Sequence, residues 1–535
     1  MTKTQKIKYN SKSKKYFYVI LILIPLVFFI VLELTLRIIN YGKNLDQWIE
    51  PQQGKLVLNP DVAHRYFSTI QTIPYSQYDY FDKEKEENSF RVFIMGGSSA
   101  AGFPYSPNGS FSKYIRKRLQ KVYPSTKIEI INISMAAINS YTLRDLLPET
   151  LEQKPDLLII YAGHNEYYGA LGVGSTESLG TYRSAIIFYL YLERFKSFIL
   201  IKDLLNSLTK LFSEKAENPR SLMRRMAKER LINLSSDLYT AGLLQFEENV
   251  RDILESTTDH DIPILLCTLV SNLKDQIPFE SMKTEGLPLA IDIYSEANYA
   301  LQKDEIRKAD SLFRFAKDLD ALRFRAPEEI NEIIKQLGRE YKITVVDIDS
   351  TFTALSSKKI IGDDLICDHL HPNLSGYRLI GKIIYEEMES IGFLPKANPE
   401  FIDPIDQDYF VRANYDFSDL DVQIANYRIF LLKQDWPFVK RDQPLKRSYQ
   451  AVNTKSFLDT LAFNVVTNNI DWDRAHINLA RRYLENGNKN GYIAEMKVII
   501  DKFPYVISYY KIAAKDLLAK KFFNEAIHYL EIYNN

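Results

Sequence analysis

A small-residue turn that carries a serine follows a strongly apolar segment early in the chain. Residues 91–95 predict a buried strand, and Gly96, Gly97 and Ser98 follow it directly. A nucleophilic serine needs its hydroxyl at the carboxyl end of a strand, where open α/β sheets form their ligand crevice. It also needs small neighbours so that a substrate can approach the backbone, which these glycines and Gly102 provide. We therefore interpret Ser98 as a candidate nucleophile.

The sequence around this turn predicts no cofactor. It contains neither the Gly-x-x-x-x-Gly-Lys pattern of a phosphate loop nor the Gly-x-Gly-x-x-Gly pattern of a dinucleotide site. No spacing of cysteines and histidines in the chain is typical of a metal site. The two cysteines, Cys267 and Cys367, are expected to be buried free thiols, with a disulfide between them as the alternative.

The order of short motifs along the chain resembles that of the SGNH hydrolase family, also called GDSL-like lipases and acylhydrolases. The family's first block, Gly-Asp-Ser, matches Gly96-Gly97-Ser98, where Gly97 stands in place of the aspartate. The resemblance implies a three-layer α/β/α fold and a serine nucleophile that needs no metal.

The last block of the family, Asp-x-x-His-Pro, matches the segment from Asp368 to Pro372. The resemblance implies that His371 is the general base, because the family's histidine stands immediately before the proline. Asp368 would orient this imidazole and stabilise its charged form. His369 is the competing histidine in the same segment.

Two further blocks imply the donors of an oxyanion hole. The third block, Gly-x-Asn-Asp, matches residues 163–166, so Gly163 is the motif glycine and Asn165 would donate its side-chain amide. The second block normally supplies a glycine N–H, and Ala137 stands at that position. We expect the N–H groups of Ala137 and Ser98 to complete the hole, with a distorted hole if the position requires a positive φ.

Two arginines, Arg323 and Arg325, lie on alternate positions in a segment outside these blocks. They are candidates to bind a carboxylate or phosphate on the substrate. The alternative interpretation is that they form salt bridges on the protein surface.

Apolar segments alternate with helical patterns between residues 90 and 392, which favours a parallel sheet covered by helices on both faces. The predicted strands are residues 91–95, 127–132, 156–162, 262–269 and 343–348. The predicted helices include residues 111–122, 238–256, 326–341 and 375–391. The fold class is therefore α/β, three-layer, of the flavodoxin-like type, and it agrees with the family resemblance.

Two helical regions resemble tetratricopeptide (TPR) repeats. In an insertion at residues 285–325, small residues at Ala297, Ala309 and Ala316 recur at the spacing of a TPR helix pair. In the C-terminal region, a shift of 34 residues superimposes Ala480 on Ala514. Such repeats would stack on the neighbouring domain and offer a site for a protein partner, whereas the alternative is an ordinary helical extension.

The N-terminal region predicts a membrane anchor. A lysine-rich segment at residues 1–15 precedes an apolar run at residues 16–39, which is long enough to cross a bilayer core of about 30 Å. The lysines favour a cytoplasmic N-terminus with the rest of the chain on the outer, periplasmic or extracellular, side. A cleaved signal peptide is the alternative, but the run is long and no small-x-small site follows it. Glu33 and Arg37, four residues apart, are expected to pair.

The remaining regions complete the predicted organisation. Residues 40–89 form a linker and lead-in, and the hydrolase domain covers residues 90–395, with a first insertion at residues 170–235 to which the sequence assigns no role. A connecting region at residues 396–470 leads to the TPR-like repeats at residues 471–535.

The sequence supports three hypotheses for function. The first is ester hydrolysis through an acyl-enzyme on Ser98, on a lipid, cell-wall or exported-polysaccharide ester. The second is acyl transfer, such as acetyl transfer to a surface glycan, with the same residues. The third is a membrane-tethered scaffold whose hydrolase domain is degenerate. With 68 basic and 68 acidic residues, the chain has no basic excess that would favour nucleic-acid binding.

Overall fold

The computed structural model describes residues 11–67, 74, 78–210, 222–227, 230–440 and 454–534. Within these residues the chain divides into two compact units. The smaller unit contains the N-terminal helix and the two helices between residues 184 and 210, and the larger unit contains both sheets and the remaining helices. The first ten residues of the predicted basic segment lie outside the described residues.

Two sheets form in the larger unit, and the larger sheet is the one the sequence predicts. Its five strands are β4 Ser89–Gly96, β5 Lys127–Asn132, β6 Leu157–Tyr161, β7 Ile264–Cys267 and β8 Val345–Val346. They are all parallel, in the order β5-β4-β6-β7-β8. This is the flavodoxin-like order 2-1-3-4-5, so the predicted α/β fold class is confirmed. The central parts of the strands are buried and mostly apolar because helices cover both faces.

The smaller sheet lies within the segment expected to be a linker and lead-in. Its strands are β1 Trp48–Gln52, β2 Lys55–Leu58 and β3 Phe81–Asp82, and they pair in antiparallel fashion. The buried Arg91 of β4 joins the two sheets, because its guanidinium donates to Glu129 of β5 at 2.7 Å and to the carbonyl of Asp82 at 2.7 Å.

The helices between the strands form two packed groups. In chain order to the end of the α/β region they are α1 Ser11–Ile38, α2 Ser98–Ala101, α3 Phe111–Val122, α4 Ser140–Leu151, α5 Arg183–Leu192, α6 Lys196–Lys210, α7 Leu222–Ala227, α8 Asp237–Asp259, α9 Ala290–Gln302, α10 Ile306–Leu319, α11 Glu328–Tyr341, α12 Ile348–Leu355 and α13 Leu374–Ser390. Short 3-10 helices lie at Pro60–Arg65 and Ser357–Lys359. Helix α3 packs with α13, while α8 packs with α4 and α11.

The insertion at residues 285–325 is a helical hairpin of α9 and α10. Its predicted small residues Ala297, Ala309 and Ala316 are all buried, as close approach of two helices requires. Whether the hairpin is a true TPR repeat stays a prediction.

The C-terminal helices belong to the same compact unit as the sheet. They are α14 Pro404–Ala413, α15 Asp419–Lys433, α16 Phe457–Val466, α17 Trp472–Glu485, α18 Lys489–Lys502, α19 Ile507–Ala519 and α20 Phe523–Asn534. The last four form two helix pairs around one core that includes Ala480 and Ala514. Helices α14 to α16 lie in the predicted connecting region at residues 396–470, for which the sequence predicted no helices. In α15 the apolar residues are spread around the helix, so no one-sided pattern marks it. Residues 441–453 of that region lie outside the described residues.

One helix among the described residues is long and apolar enough to cross a membrane. Within α1 the segment Tyr16–Ile38 contains an 18-residue window with a mean hydropathy of 3.0, and its large apolar side chains are exposed. A signal sequence near an N-terminus meets the same criteria. The predicted pair is present, because Arg37 Nε lies 2.8 Å from Glu33 Oε1.

Candidate functional site

Ser98 lies at the carboxyl edge of the large sheet, where β4 ends at Gly96 and α2 begins. Strand β4 has β5 on one side and β6 on the other, so the serine follows the strand at the topological switch point of the sheet. Its Oγ lies 2.8 Å from Nε2 of His371, a residue 273 positions later. The fold therefore brings together the serine and the histidine that the sequence singled out.

Asp368 and His371 come from one tight loop between α12 and α13. The second ring nitrogen of His371, Nδ1, lies 2.6 Å from Asp368 Oδ2. The other carboxylate oxygen accepts backbone N–H groups from Leu370 at 2.9 Å and from His371 at 2.8 Å, which fixes its orientation. Burial by itself would raise the pKa of Asp368, but the imidazoles of His371 and His369 outweigh it and hold that pKa well below its usual range. The carboxylate is therefore charged beside the imidazole.

His369, the competing histidine, turns away from Ser98 into an aromatic cluster. Its ring packs edge-on against Phe279 at 5.6 Å and Phe438 at 5.6 Å between ring centroids. Its Nδ1 lies 3.4 Å from Asp368 without hydrogen-bond geometry. Burial lowers the pKa of His369, so this ring is neutral among its aromatic neighbours.

The ligand atoms of Asp368, His369 and His371 lie within 4.8 Å of one another, which is close enough to hold a metal ion. Both oxygens of the carboxylate already accept hydrogen bonds, and His371 presents its other nitrogen to Ser98. This pattern of hydrogen bonds fits a proton relay from serine to histidine better than a metal site.

The three expected oxyanion donors lie on loops after neighbouring strands of the sheet. Ser98 follows β4, Ala137 lies in the loop between β5 and α4, and Asn165 follows β6. Ala137 has a φ of +56°, so this position does take the left-handed conformation that suits glycine. Its carbonyl accepts the N–H of Ala170 at 2.8 Å, which joins its loop to the loop that carries Asn165. Ala137 therefore keeps the left-handed backbone conformation, at a cost in backbone strain.

The side-chain amide of Asn165 occupies the space beside Gly97. A Cβ atom on Gly97 would lie 2.7 Å from Asn165 Nδ2, which is closer than real Cβ contacts. The family's aspartate would therefore displace the amide from its present position. Gly96 and Gly163 face similar crowding, and Gly102 ends α2 with a φ of +92°.

Glu166 joins the loop after β6, which carries Asn165, to the loop before α4, which carries Ala137. Its buried carboxylate accepts the N–H of Ser140 at 3.1 Å and the hydroxyl of Ser140 at 2.7 Å, at the start of α4. Gln245 of α8 donates to the same carboxylate at 2.7 Å. Burial raises the pKa of Glu166 to about 7. The sequence indicated no role for Glu166, which stands at the aspartate position of the family's third block, and its side chain reaches Ser140.

His164 is a second residue for which the sequence indicated no role. It lines a narrow cleft of about 230 Å³ together with Ser98, Ile138, Tyr161 and Asn165. Its Nδ1 accepts the N–H of Ala326 at 3.2 Å, so the proton of the neutral ring is on Nε2. Burial lowers the pKa of His164 well below its usual value. The cleft beside the serine is therefore lined by an uncharged imidazole.

The interpretation of Arg323 and Arg325 as surface salt bridges is wrong, because both side chains are buried. Arg323 donates to the carbonyl of Ile232 at 2.9 Å and lies over the ring of Tyr239. Arg325 donates to the carbonyl of Asn272 at 2.9 Å and pairs with Asp320 at 3.2 Å. These contacts tie the segment before α11 to the loops around it.

The disulfide alternative for the two cysteines is also wrong, because both are free thiols. Cys267 is buried within β7, as expected. Cys367 donates its Sγ–H to the carbonyl of His371 at 3.2 Å, so it takes part in the loop that presents the histidine.

Comparison with known proteins agrees with this architecture. Residues 94–379, just over half of the chain, match the model of the GDSL-like lipase/acylhydrolase family. No curated protein matches the chain. Among solved structures, the chain is similar to an acetyl xylan esterase, with 13% identity over 56% of this chain and 99% of that one and a TM-score of 0.31. An acetylxylan esterase from Geobacillus stearothermophilus has 13% identity over 58% and 100%, with a TM-score of 0.29. A GDSL-like lipase from Bacteroides thetaiotaomicron has 13% identity over 56% and 88%, with a TM-score of 0.28. From the match of its own sequence to the family model, this chain belongs to the GDSL-like lipase/acylhydrolase family and is an ester-hydrolysing enzyme.

Proposed function

We propose that the chain hydrolyses esters through an acyl-enzyme on Ser98, with His371 as general base and Asp368 as the residue that orients it. The observation that carries the proposal is the continuous relay from Ser98 Oγ to His371 Nε2 at 2.8 Å and from His371 Nδ1 to Asp368 at 2.6 Å. In the first step the serine oxygen bonds to the carbonyl carbon while its proton passes to Nε2. The protonated imidazole then gives that proton to the departing alkoxide.

In the second step a water molecule attacks the acyl carbon of the ester on Ser98. His371 takes a proton from this water and returns it to the serine oxygen as the acyl bond breaks, which releases a carboxylic acid. The charged Asp368 stabilises the imidazolium that forms in each step. In total, one ester and one water are converted to one carboxylic acid and one alcohol.

The negative charge on the carbonyl oxygen would be stabilised by the N–H groups of Ser98 and Ala137 and by the amide of Asn165. Within the described ranges of the chain, neither backbone N–H donates to another protein group. All three residues are partly exposed at the same edge of the sheet. Three donors from three loops can therefore converge on one substrate oxygen.

A fluorophosphonate probe tests the proposed nucleophile, because it bonds only to a serine whose proton a nearby base removes. We expect the folded full chain to be labelled and Ser98→Ala to lose the labelling completely. Ser99→Ala is the matched control, since Ser99 is adjacent, buried and outside the relay, and it should keep the labelling. A folded wild-type chain that the probe does not label would overturn the proposal and favour the degenerate scaffold.

The acceptor of the acyl group separates hydrolysis from acyl transfer. Both reactions share the acyl-enzyme on Ser98, and they differ in whether water or a sugar hydroxyl attacks it. We propose water as the acceptor. Incubation with an acetylated donor ester and a polysaccharide acceptor should release free acetate, whereas acetyl groups recovered on the acceptor would identify a transferase.

We also propose that α1 stays in the chain as a membrane anchor, with the cytoplasmic lysines before it and the hydrolase domain on the outer side. The apolar length of Tyr16–Ile38, in which Glu33 and Arg37 are the charged residues and pair with each other, and the lysine-rich segment before it support this topology. The esters within reach would then be those of the membrane, the cell wall or exported glycans. The domain limits at residues 90–395 and 471–535, with TPR-like repeats open to a protein partner, are part of the same proposal.

A further inference from the structure

Helix α6, in the insertion to which the sequence assigned no role, presents an apolar stripe on its exposed side. Ile201, Leu204, Leu205 and Leu208 recur at the helical spacing i, i+3, i+4, i+7, so they lie on one face. Their exposed fractions are 41%, 57%, 58% and 56%. A stripe with this spacing normally faces a core, whereas here the buried residue of the helix, Ile199, lies on another side.

Helix α5, which precedes α6, adds two exposed aromatic side chains. Phe188 and Tyr191 are one turn apart and are 61% and 55% exposed, while Ile186 and Leu190 on the other side of the helix are buried. Aromatic side chains of this kind are enriched where a protein meets the boundary between water and lipid. Helices α5 and α6 therefore each expose large apolar side chains.

The start of α6 is fixed to the last turns of α1 by hydrogen bonds. The carboxylate of Glu33 accepts the N–H groups of Lys196 at 3.1 Å and Ser197 at 2.8 Å, which are the first two residues of α6. The hydroxyl of Ser197 donates to the same carboxylate at 2.8 Å. Arg37 donates to the carbonyl of Arg194 at 3.1 Å. The carboxylate inside the apolar helix is thus used to cap a second helix.

We propose that α5 and α6 are a second lipid-contacting element, which lies along the bilayer surface with the face of Phe188, Tyr191, Ile201, Leu204 and Leu208 in the lipid. The bilayer is the occupant that fits, because α6 packs against α1 and begins at its last turns, where the Glu33 cap holds it beside the helix proposed to cross the membrane. The inference rests on the proposed anchor. The protein would then contact the membrane through three helices, α1, α5 and α6, and not through α1 alone.

Fluorescence quenching by brominated lipids tests this contact in the full chain. Both native cysteines are first replaced by alanine, and single cysteines carrying an environment-sensitive dye are placed at Leu204→Cys and Leu208→Cys. Leu23→Cys in α1 is the reference for lipid, and Leu355→Cys, 61% exposed in α12, is the reference for water. The protein is reconstituted into vesicles of zwitterionic and anionic phospholipid.

We expect severalfold more quenching at positions 204 and 208 than at 355, with the deepest quenching at 23. The inference is overturned if 204 and 208 match 355 while 23 is quenched, and the anchor then stands. If 23 is also unquenched, the anchor itself fails and the inference fails with it. A blue-shifted dye at 204 without bromine quenching would instead assign the stripe to a protein contact and overturn lipid as its occupant.

A charged variant separates lipid contact from a local effect of the dye. Leu204→Asp combined with Leu208→Asp should reduce the quenching of a dye at Phe188→Cys severalfold, because two carboxylates cannot enter the lipid with the helix. Fluorophosphonate labelling of Ser98 in the same variant reports that the hydrolase domain is folded. Unchanged quenching at position 188 in a labelled variant would overturn the joint insertion of the two helices.

Discussion

At the scale of single residues, the proposed oxyanion hole differs from the family motif at three positions. Gly97 replaces an aspartate of the family motif, and the space so freed is taken by the amide of Asn165. Ala137 replaces a glycine and keeps its left-handed backbone. Glu166 replaces an aspartate and reaches Ser140 on the next loop. Each change is accommodated by the geometry around it.

Gly97→Ala should lower the rate of ester hydrolysis by about 10- to 100-fold with little loss of stability. The new Cβ must displace the Asn165 amide, and the loss of one oxyanion donor costs about 100- to 1,000-fold when it is complete. We expect Asn165→Ala to lower the rate of hydrolysis at least as much as Gly97→Ala does. The double variant should be no slower than Asn165→Ala, since both changes remove the same donor. Multiplicative losses in kcat would show that Gly97 acts by another route.

Ala137→Gly should raise the free energy of unfolding by up to about 1 kcal/mol and leave hydrolysis intact. An alanine in the left-handed region carries a strain of roughly 1 kcal/mol that glycine does not, while the N–H group stays in place. Ala136→Gly is the matched control, because Ala136 is not among the positive-φ residues and its replacement adds only chain entropy to the unfolded state. Chemical denaturation should therefore move in opposite directions for the two variants.

At the scale of helices, the C-terminal region is joined to the α/β region by a half-buried cluster of charges. Asp501, near the end of α18, accepts from Lys113 at 2.9 Å, from Arg116 at 3.2 Å and from Lys117, all on α3. Lys502 pairs with Asp79 at 2.6 Å beside them. Burial would raise the pKa of Asp501, but the three cations outweigh it and hold that pKa far below its usual range. The charge of Asp501 therefore contributes to this contact through three cations of α3.

Asp501→Asn should lower the free energy of unfolding by about 3 kcal/mol at pH 7, because it leaves Lys113 and Arg116 without the carboxylate that they share. Lys117 keeps its pair with Asp416 at 2.9 Å. A depressed pKa stabilises the fold above the unfolded value of about 3.9, and this contribution disappears as the pH falls. The gap between the variant and the wild type should therefore shrink between pH 7 and pH 3. Denaturation at both pH values measures it.

Glu485→Gln is the matched control for Asp501, since Glu485 pairs with Arg482 at 3.6 Å while both are more than half exposed. Its effect should stay below about 1 kcal/mol. If both variants lose the same small amount of stability, the cluster on α3 does not fix the C-terminal helices.

At the scale of the whole molecule, the chain combines a family hydrolase fold with an apolar helix and a helical C-terminal region. The C-terminal segment also reaches the candidate site, because Phe438 packs against Phe279 at 5.1 Å and against His369 at 5.6 Å. The wall beside the histidine loop therefore includes residues from outside the matched family region.

The proposed anchor predicts that the protein in a membrane fraction keeps α1 and has the 62.2 kDa mass of this sequence. Mass spectrometry of the protein isolated from membranes measures it, together with resistance to alkaline extraction. Removal of a signal peptide would leave a chain shorter by about 40 residues or fewer and free in the extract, as the usual length of such peptides requires. That mass would contradict the anchor.

Local sequence determined the elements and the motif residues of this protein. Strand β5 and helix α3 lie at the predicted residues. A continuous apolar run and a one-sided helical pattern depend only on residues that are close together in the sequence, so they can be recognised without the fold. Ser98, Asp368 and His371 were identified from their motifs. By contrast, the periodicity of α15 is weak, so the helical nature of that region emerged only in the structure.

Tertiary structure alone decided what these residues do to one another. The 2.8 Å approach of His371 to Ser98 spans 273 positions and depends on the parallel order of the sheet, as does the convergence of three loops at its edge. The burial of Arg325 and the tie from Glu166 to Ser140 likewise join segments that are distant in the chain. Residue types and spacings specify chemistry that is local, whereas burial and non-local pairing arise only when the sheet brings its carboxyl ends together.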